Sequence, residues 1–458
     1  MGFVVSIIYF VTYYLTPANL WGPLAAYRIE LILAVLAMAF SVSGLSKSII
    51  RKTPQPYALI GLAVAIFLSV LIGMHWSGGA VQGFLSFIPN AFAYFLICLN
   101  FKSRWQLQVL VGVMLIVCLF VIGHGYFDLI NNVPVSRSEN PPPFASQYLL
   151  AFSNDAGDRF ARLRGPGDIS DPNDFAQLIV CLIPLIFIFW RPKRIMQNVV
   201  LVLLPVCALL YGAFLTHSRG SLVALMAVAV VALRRRLGTI PALVLAAGLF
   251  IGASALNFTG GREISANAGS DRTSLWGVGL QMVKSHPVFG VGFGDFSDYS
   301  GDAGLTAHNS IVVCAAELGL FGLFFWTLFL FATVSDALAV SSSEQVSEAE
   351  AIVPEEGLYP HESMKAKGID RTEIIRLGRL AVLSLTGFLV AGLFLSRAFV
   401  MTLFIVGGVA EAVYQMALQR GMIADRMRLK RVLMYVGGLT AAMVPFMYVM
   451  VRFLNLMR

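Results

Sequence analysis

Three short constellations carry residue types that do chemistry in a sequence otherwise dominated by apolar residues. The first is Thr216-His217-Ser218-Arg219-Gly220. A guanidinium between two apolar runs can reach a diphosphate at a bilayer surface through paired N–H donors. It can equally snorkel to lipid headgroups. The second is Gly269-Ser270-Asp271-Arg272-Thr273-Ser274-Leu275-Trp276. Asp271 or Thr273 is placed to cap a helix. Leu275, Trp276, Leu280, Met282 and Val283 would then form an apolar stripe. That stripe either lies on the membrane or packs against a bundle with Arg272 solvated. The third is Ala307-His308-Asn309-Ser310, at the start of a long apolar run. A helix N-terminus disfavours imidazolium, and an ordinary imidazole pKa near ~6.5 suits general-base work. The plainer reading is an interfacial histidine bonded to a neighbouring loop.

Between the second and third lies His286-Pro287-Val288-Phe289-Gly290-Val291-Gly292-Phe293-Gly294. Its alternating glycines lack the strand and helix context of a nucleotide loop. A glycine turn that offers backbone N–H groups to an anion remains open.

These residues must be positioned by membrane-spanning helices. The chain has 458 residues, of which 58% are hydrophobic and 13% charged; soluble domains carry about 25% charged. That excludes a soluble enzyme, a disordered chain and a disulfide scaffold. Many runs reach the ~17–25 residues that span a bilayer as helix. The expected fold is an all-α polytopic membrane protein with 12–13 transmembrane helices and a large outward loop. Spans fall near 3–16, 25–44, 57–75, 80–99, 105–126, 172–190, 197–215, 220–233, 239–256, 308–335, 380–396, 399–418 and 432–451. If the first run only dips into the membrane, or the last lies at its interface, the count is twelve. The first run, Val4 to Leu15, lacks a positive flank, so a cleaved leader is not expected.

Lysine and arginine set the orientation. With the N-terminus inside, 21 of the 33 positives face the cytoplasm, including Lys102, Arg104 and Arg234 to Arg236. Eleven of the twelve outward positives are arginine, as the positive-inside rule and an outward anion site would both require. The net charge of +8 is thus sorted between spans and does not point to nucleic acid. Five histidines, His75, His124, His217, His286 and His308, fall near the outer face. All five cysteines lie in apolar runs, read as small buried hydrophobes with no metal spacing.

The chain divides into N-terminal spans (1–126), an outer loop (127–170), a core (171–335) with a second outer loop (257–307), a cytoplasmic linker (336–379) and C-terminal spans (380–458). The first outer loop holds Arg159, Arg162 and Arg164, which add charge at the mouth. The linker is rich in glutamate and reads as a solvated tether.

Taken together, the constellations resemble the O-antigen ligase and polymerase superfamily of bacterial envelope glycan assembly. The most specific likeness is His308-Asn309, nine residues, then Gly319-Leu320-Phe321-Gly322. Arg272 with Trp276, and His286-Pro287 to Gly292, match what precedes that histidine in the family. Ser218-Arg219-Gly220 matches its earlier arginine-bearing loop, and Asp171-Pro172-Asn173-Asp174 resembles its polar entry to a span. The resemblance is strong over residues 170–335.

The resemblance implies a multi-pass enzyme of the bacterial inner membrane with its site on the periplasmic face, working in lipopolysaccharide or exopolysaccharide assembly. Its donor would be a glycan on undecaprenyl diphosphate. The acceptor hydroxyl would belong to lipid A core, a growing glycan or a protein. Transfer would invert the anomeric centre with no cofactor and no metal. His308 would act as base, and Arg219 and Arg272 would bind the diphosphate. Asn309, Asn173, Asp174, His217 and Ser218 would support them. Glu317 is assigned to helix packing. The alternatives are a repeat-unit polymerase of the same superfamily and a secondary transporter.

Overall fold

The structure, a computed structural model, describes residues 1–17, 29–45, 53–138, 142, 144–153, 159–256, 258, 266–300, 305–350, 361–423 and 429–456. The chain is an all-α polytopic membrane protein. Among the described residues, each of the thirteen apolar runs overlaps a helix: α1 (Gly2–Leu15), α2 (Ile29–Leu45), α3 (Pro54–Leu68, extended by a π turn, Ser69–Gly73), α4 (Ser77–Asn100), α5 (Arg104–Ile130), α6 (Pro172–Ile186), α7 (Ile195–Leu215), α8 (Arg219–Leu237), α9 (Thr239–Ala255), then α11 (Ser310–Glu350), α12 (His361–Gly392), α13 (Met401–Gln419) and α14 (Leu429–Leu456). Helix α10 (Ala266–Ser285) belongs to the second outer loop.

Among the described residues, nine helices are long and apolar enough to cross a membrane. Three shorter apolar helices, Gly2–Leu15, Leu31–Val42 and Thr239–Ala255, accompany them. Helix α8 stands apart because Arg234, Arg235 and Arg236 fill its last turn. Such arginines favour a helix C-terminus and can snorkel to an interface.

Local sequence sets several helix starts. Ser103 and Gln106 form a capping box at α5. Asp171 caps α6 ahead of Pro172, and Ser218 caps α8. Helices α6, α11, α12 and α13 form the centre: α11 packs on α3, α10, α12, α13 and α14, and α12 packs on α6 and α8. Helix α13 is 94% buried over its apolar window, against 22% for α14. The second value is that of a lipid-facing helix. Helix α7 is lipid-facing too, so Cys207 is exposed while Cys98, Cys118, Cys181 and Cys314 are buried. The expectation of five buried cysteines therefore fails at one.

Two further differences appear. The first outer loop contains an antiparallel hairpin, β1 (Leu149–Ser153) with β2 (Arg159–Leu163), which pairs Leu149 with Leu163 and Phe152 with Phe160. Alternation over five residues is too short to stand out beside long apolar runs. The polar linker after the tenth apolar run is also partly helical. Helices α11 and α12 run into it, burying Asp336, Val340, Ile374 and Ile375. The side chains of Glu344, Glu348, Glu350, Glu355 and Glu356 lie outside the described residues.

Helix α11 is broken inside the span. Gly319 has φ 63 and ψ −167, so a short helix ends at Leu318 and a long one starts at Leu320. The break is filled by residues 286–294. Val291 and Gly292 donate to the carbonyls of Ala316 (3.0 Å) and Glu317 (3.1 Å). Leu320 and Phe321 donate to the carbonyls of Pro287 (2.8 Å) and Val288 (3.1 Å). The Glu317 carboxyl, buried at 6% exposure, accepts from the amides of Gly294 and Phe296. Its role is therefore to hold this loop, in line with the packing assignment. The same loop rests on the other side against α3: the Phe293 amide donates to Ser69 Oγ (3.1 Å), and Gly73 lies against Val291.

Glycine is required on both sides of this junction. A Cβ on Gly319 would collide with the Val288 backbone, and one on Gly290 with the Glu317 backbone. Both residues also have positive φ. Gly319→Ala combines left-handed strain with a backbone clash, a cost of at least ~2 kcal/mol. We expect a marked loss of folded protein and a lower unfolding temperature in detergent, with Gly277→Ala, where a Cβ meets nothing within 4 Å, as the neutral control.

Candidate active site

The polar constellations converge at the end of the bundle that lysine and arginine assign to the outside. Four elements build it: the hairpin, the start of α6, the α7–α8 turn and the start of α11. A fifth, residues 393–400 between α12 and α13, joins them.

Arg162 on β2 is 3% exposed. Its Nε donates to the Thr216 carbonyl (2.8 Å) and its Nη2 to Asn173 Oδ1 (3.0 Å). The guanidinium also lies 5.2 Å from the Phe152 ring centre. One side chain thus ties the hairpin to α6 and to the α7–α8 turn. Burial pushes the Arg162 pKa down to about 10; the Arg219 charge adds to the fall and Asp171 opposes it. Arg162 and Arg219 therefore sit within each other's field. Arg162 and Arg164 are buried while Arg159 is exposed, so of the three only Arg159 lies open to a ligand at the mouth.

Arg219 is the first residue of α8 and half-buried. Ser218 before it is buried at 1%, and its Oγ accepts from the Ser221 amide (3.3 Å). His217 has φ 49. Its Nδ1 is 3.1 Å from the Phe258 carbonyl, and its ring meets Phe160 edge-on at 5.3 Å. Ser218 and His217 thus shape the turn that presents Arg219.

His308 is half-buried and has φ 46. For a non-glycine residue this costs of order 1–3 kcal/mol and persists only where surroundings over-determine it. They do so here. The His308 amide donates to Ser396 Oγ (2.7 Å), which also pairs with Thr306 Oγ1 (2.5 Å). Trp276 on α10 donates to the Ala307 carbonyl (2.7 Å). Asn309 Oδ1 accepts from the Ile311 (3.0 Å) and Val312 (3.2 Å) amides, capping α11. Ser310 Oγ donates to the Leu395 carbonyl (2.8 Å).

Asn173 and Asp174 belong to this scaffold. Asp174 is 6% exposed and pairs with Arg397 at 2.6 Å. Burial works against the Arg397 charge, but Asp174, Asp168 and Asp171 outweigh it and raise its pKa. Ser396 and Arg397 were not singled out from sequence. The only signal was an arginine between two apolar runs on the face where arginine gathers. The two halves of the site meet at this turn: Gly220 beside Arg219 lies against Phe394, and Ser396 holds His308. Phe394 and Ser396 are two residues apart, at most ~7 Å along the chain.

Arg272 lies on α10, and its side chain is outside the described residues. Helix α10 begins at Ala266, so Asp271 and Thr273 stand inside it and not at its cap. Trp276 and Leu275 face the bundle, Leu275 at 3% exposure, which favours packing over a free amphipathic helix.

Residues 204–327 match the model of the O-antigen ligase family. Over this segment the chain is similar to the O-antigen ligases. The matched segment runs from α7 through α10 to the far side of the Gly319 break, and it contains Arg219, Arg272 and His308. It leaves out Arg162, Asp174, Ser396 and Arg397, the residues that brace the ligase-like segment from either side. No curated protein matches the chain.

Arg162→Ala should leave the Thr216 carbonyl and Asn173 unpaired and cost roughly 1–3 kcal/mol. Arg162→Lys, which lacks the planar fork that serves the two acceptors from separate nitrogens, should fall between it and wild type, and Arg159→Ala should match wild type. Thermal unfolding in detergent tests this order; equal stability of Arg162→Ala and wild type would refute the strut role.

Proposed function

We propose that this chain is a membrane glycosyltransferase that moves a glycan from undecaprenyl diphosphate to an acceptor hydroxyl. His308 takes the proton from the acceptor hydroxyl. The acceptor oxygen attacks the anomeric carbon on the face opposite the diphosphate. The bond from that carbon to the diphosphate oxygen breaks, and its electron pair leaves with the diphosphate. The glycan is released on its acceptor with an inverted centre, and undecaprenyl diphosphate remains. Arg219 and Arg272 bind the diphosphate and offset the charge that grows on it. No cofactor or metal takes part. The leaving group is already a good one, so positioning and charge stabilisation suffice.

The observation that carries this reading is the strained His308, locked at the N-terminus of a broken span and joined through one turn to the Arg219 corner. A base and an anion clamp held at one end of a helical bundle suit a substrate that is part lipid and part water-soluble. Asn309, Ser218 and His217 keep their supporting place by shaping the backbone around the two reactive groups; Asn173 and Asp174 do so through Arg162 and Arg397. The site then faces the periplasm of a bacterial inner membrane, and the acceptor is lipid A core, a growing glycan or a protein hydroxyl. A repeat-unit polymerase shares the donor and the chemistry.

Purified protein incubated with undecaprenyl-diphosphate glycan and candidate acceptors should yield product readable by mass. A single glycan added to a foreign acceptor marks a ligase; a ladder on the carrier marks a polymerase. His308→Ala and Arg219→Ala should each lower transfer by about 100-fold or more with membrane insertion intact. Wild-type turnover in His308→Ala would remove the base assignment. Transfer should also persist in EDTA, and its loss there would contradict a metal-free mechanism.

A further inference from the structure

Residues 393–400 touch the start of α6, the α7–α8 corner and both halves of α11. Phe394 lies against Gly220, next to Arg219. The Leu395 carbonyl accepts from Ser310 Oγ, and Ser396 Oγ accepts the His308 amide. Arg397 pairs with Asp174 on α6 at 2.6 Å. The Ala398 carbonyl accepts from Trp326 Nε1 on the long half of α11 (2.9 Å). Phe399 packs on Phe293 of the loop that fills the α11 break, with ring centres 5.6 Å apart. Six consecutive residues thus make six contacts to five elements.

We propose that Ser396 and Arg397 are positioning residues for His308. The inference rests on the reading of His308 as the base. A backbone in the left-handed region persists only where its surroundings hold it, so the bond on its N–H fixes the Cα from which the imidazole projects. Ser396 Oγ supplies that bond and takes its own orientation from Thr306 Oγ1. The hydroxyl would swing with its turn unless the turn were fixed to the bundle. Arg397 does this through Asp174, a carboxylate whose burial excludes water as a competing partner. Asp168 and Asp171 add their field to the same guanidinium. Neither residue need touch substrate. A small error in the base's place is enough to matter, since a ~1 Å misplacement can cost ~100-fold in rate.

The test uses full-length protein in detergent micelles, an undecaprenyl-diphosphate-linked saccharide as donor, and separate binding of undecaprenyl diphosphate. Ser396→Thr keeps the hydroxyl; Ser396→Val has nearly the same shape without it. We expect Ser396→Val to lower kcat by about 10- to 100-fold with donor KM and undecaprenyl diphosphate binding within about twofold of wild type. Ser396→Thr should recover most of that loss. Arg397→Lys, which can still pair with Asp174, should retain most activity, and Arg397→Gln should behave like Ser396→Val. A general loosening of the fold would lower binding and kcat together and would not follow the hydroxyl. Should Ser396→Val fail to insert, the Arg397→Lys and Arg397→Gln pair decides by the same criteria. If His308→Ala is inactive while Ser396→Val and Arg397→Gln turn over as wild type, the positioning role is wrong and the base reading stands. If His308→Ala itself turns over as wild type, both fall.

Discussion

A helix that crosses hydrocarbon must satisfy every backbone N–H and C=O it carries, because no water is there to do it. The break at Gly319 violates that rule by itself. It leaves carbonyls at the end of one helix and amides at the start of the next, about 13 Å into the span counted from Ser310. Residues 286–294 satisfy both sets, two bonds in each direction. The loop is thereby fixed in depth and in register. Nine residues of glycine-rich chain, which would be mobile in water, become part of the helix they interrupt.

From that junction the position of His308 follows. The segment Ser310–Leu318 is a rigid piece of little more than two turns. Its inner end is sealed by residues 286–294. Its outer end is capped by Asn309 and held by Ser396, Leu395 and Trp276. Trp276 sits on α10, the helix that leads straight into the sealing loop: the His286 amide closes it on the Met282 carbonyl (2.8 Å). The two ends of the short segment are therefore braced by one continuous stretch of chain. The break lets a span carry His308 at its mouth without tilting the whole helix. The long half remains free to pack on α3, α12 and α13.

Much of this was legible in the sequence, for reasons that differ by scale. Apolar runs of span length announce helices because lipid forbids other solutions, and among the described residues each of the thirteen runs overlaps a helix. Arg219 and His308 stood out because each begins a span with a polar residue where apolar ones are the rule. The nine-residue spacing from Asn309 to Gly319 was visible as a pattern, but its meaning was not. It is the length of the short helix, and only the pairing with residues 287–292 shows why glycine must end it. Ser396 and Arg397 were hidden for another reason. Their partners, His308 and Asp174, lie 88 and 223 residues earlier (396 − 308 and 397 − 174), and no periodicity links a turn to contacts so distant. The hairpin was missed because its side chains follow a period of two for only five residues.

The outer arginines divide by what they are bonded to, and that division determines the charge left for a ligand. Arg397 gives its charge to Asp174, so the pair adds little net potential. Arg162 is different. Its hydrogen-bond partners are a carbonyl and an amide oxygen, both neutral; among the described residues no carboxylate is bonded to it, and the more distant field of Asp171 offsets its charge. With a pKa near 10 it remains protonated at neutral pH. A buried cation without a bonded counter-ion is costly, and the cost is visible as the depressed pKa. The same arrangement leaves positive potential at the Arg219 corner. A lipid-linked diphosphate arriving there would relieve the repulsion between the two guanidiniums as it bound, and the buried strut would contribute to affinity without touching the ligand.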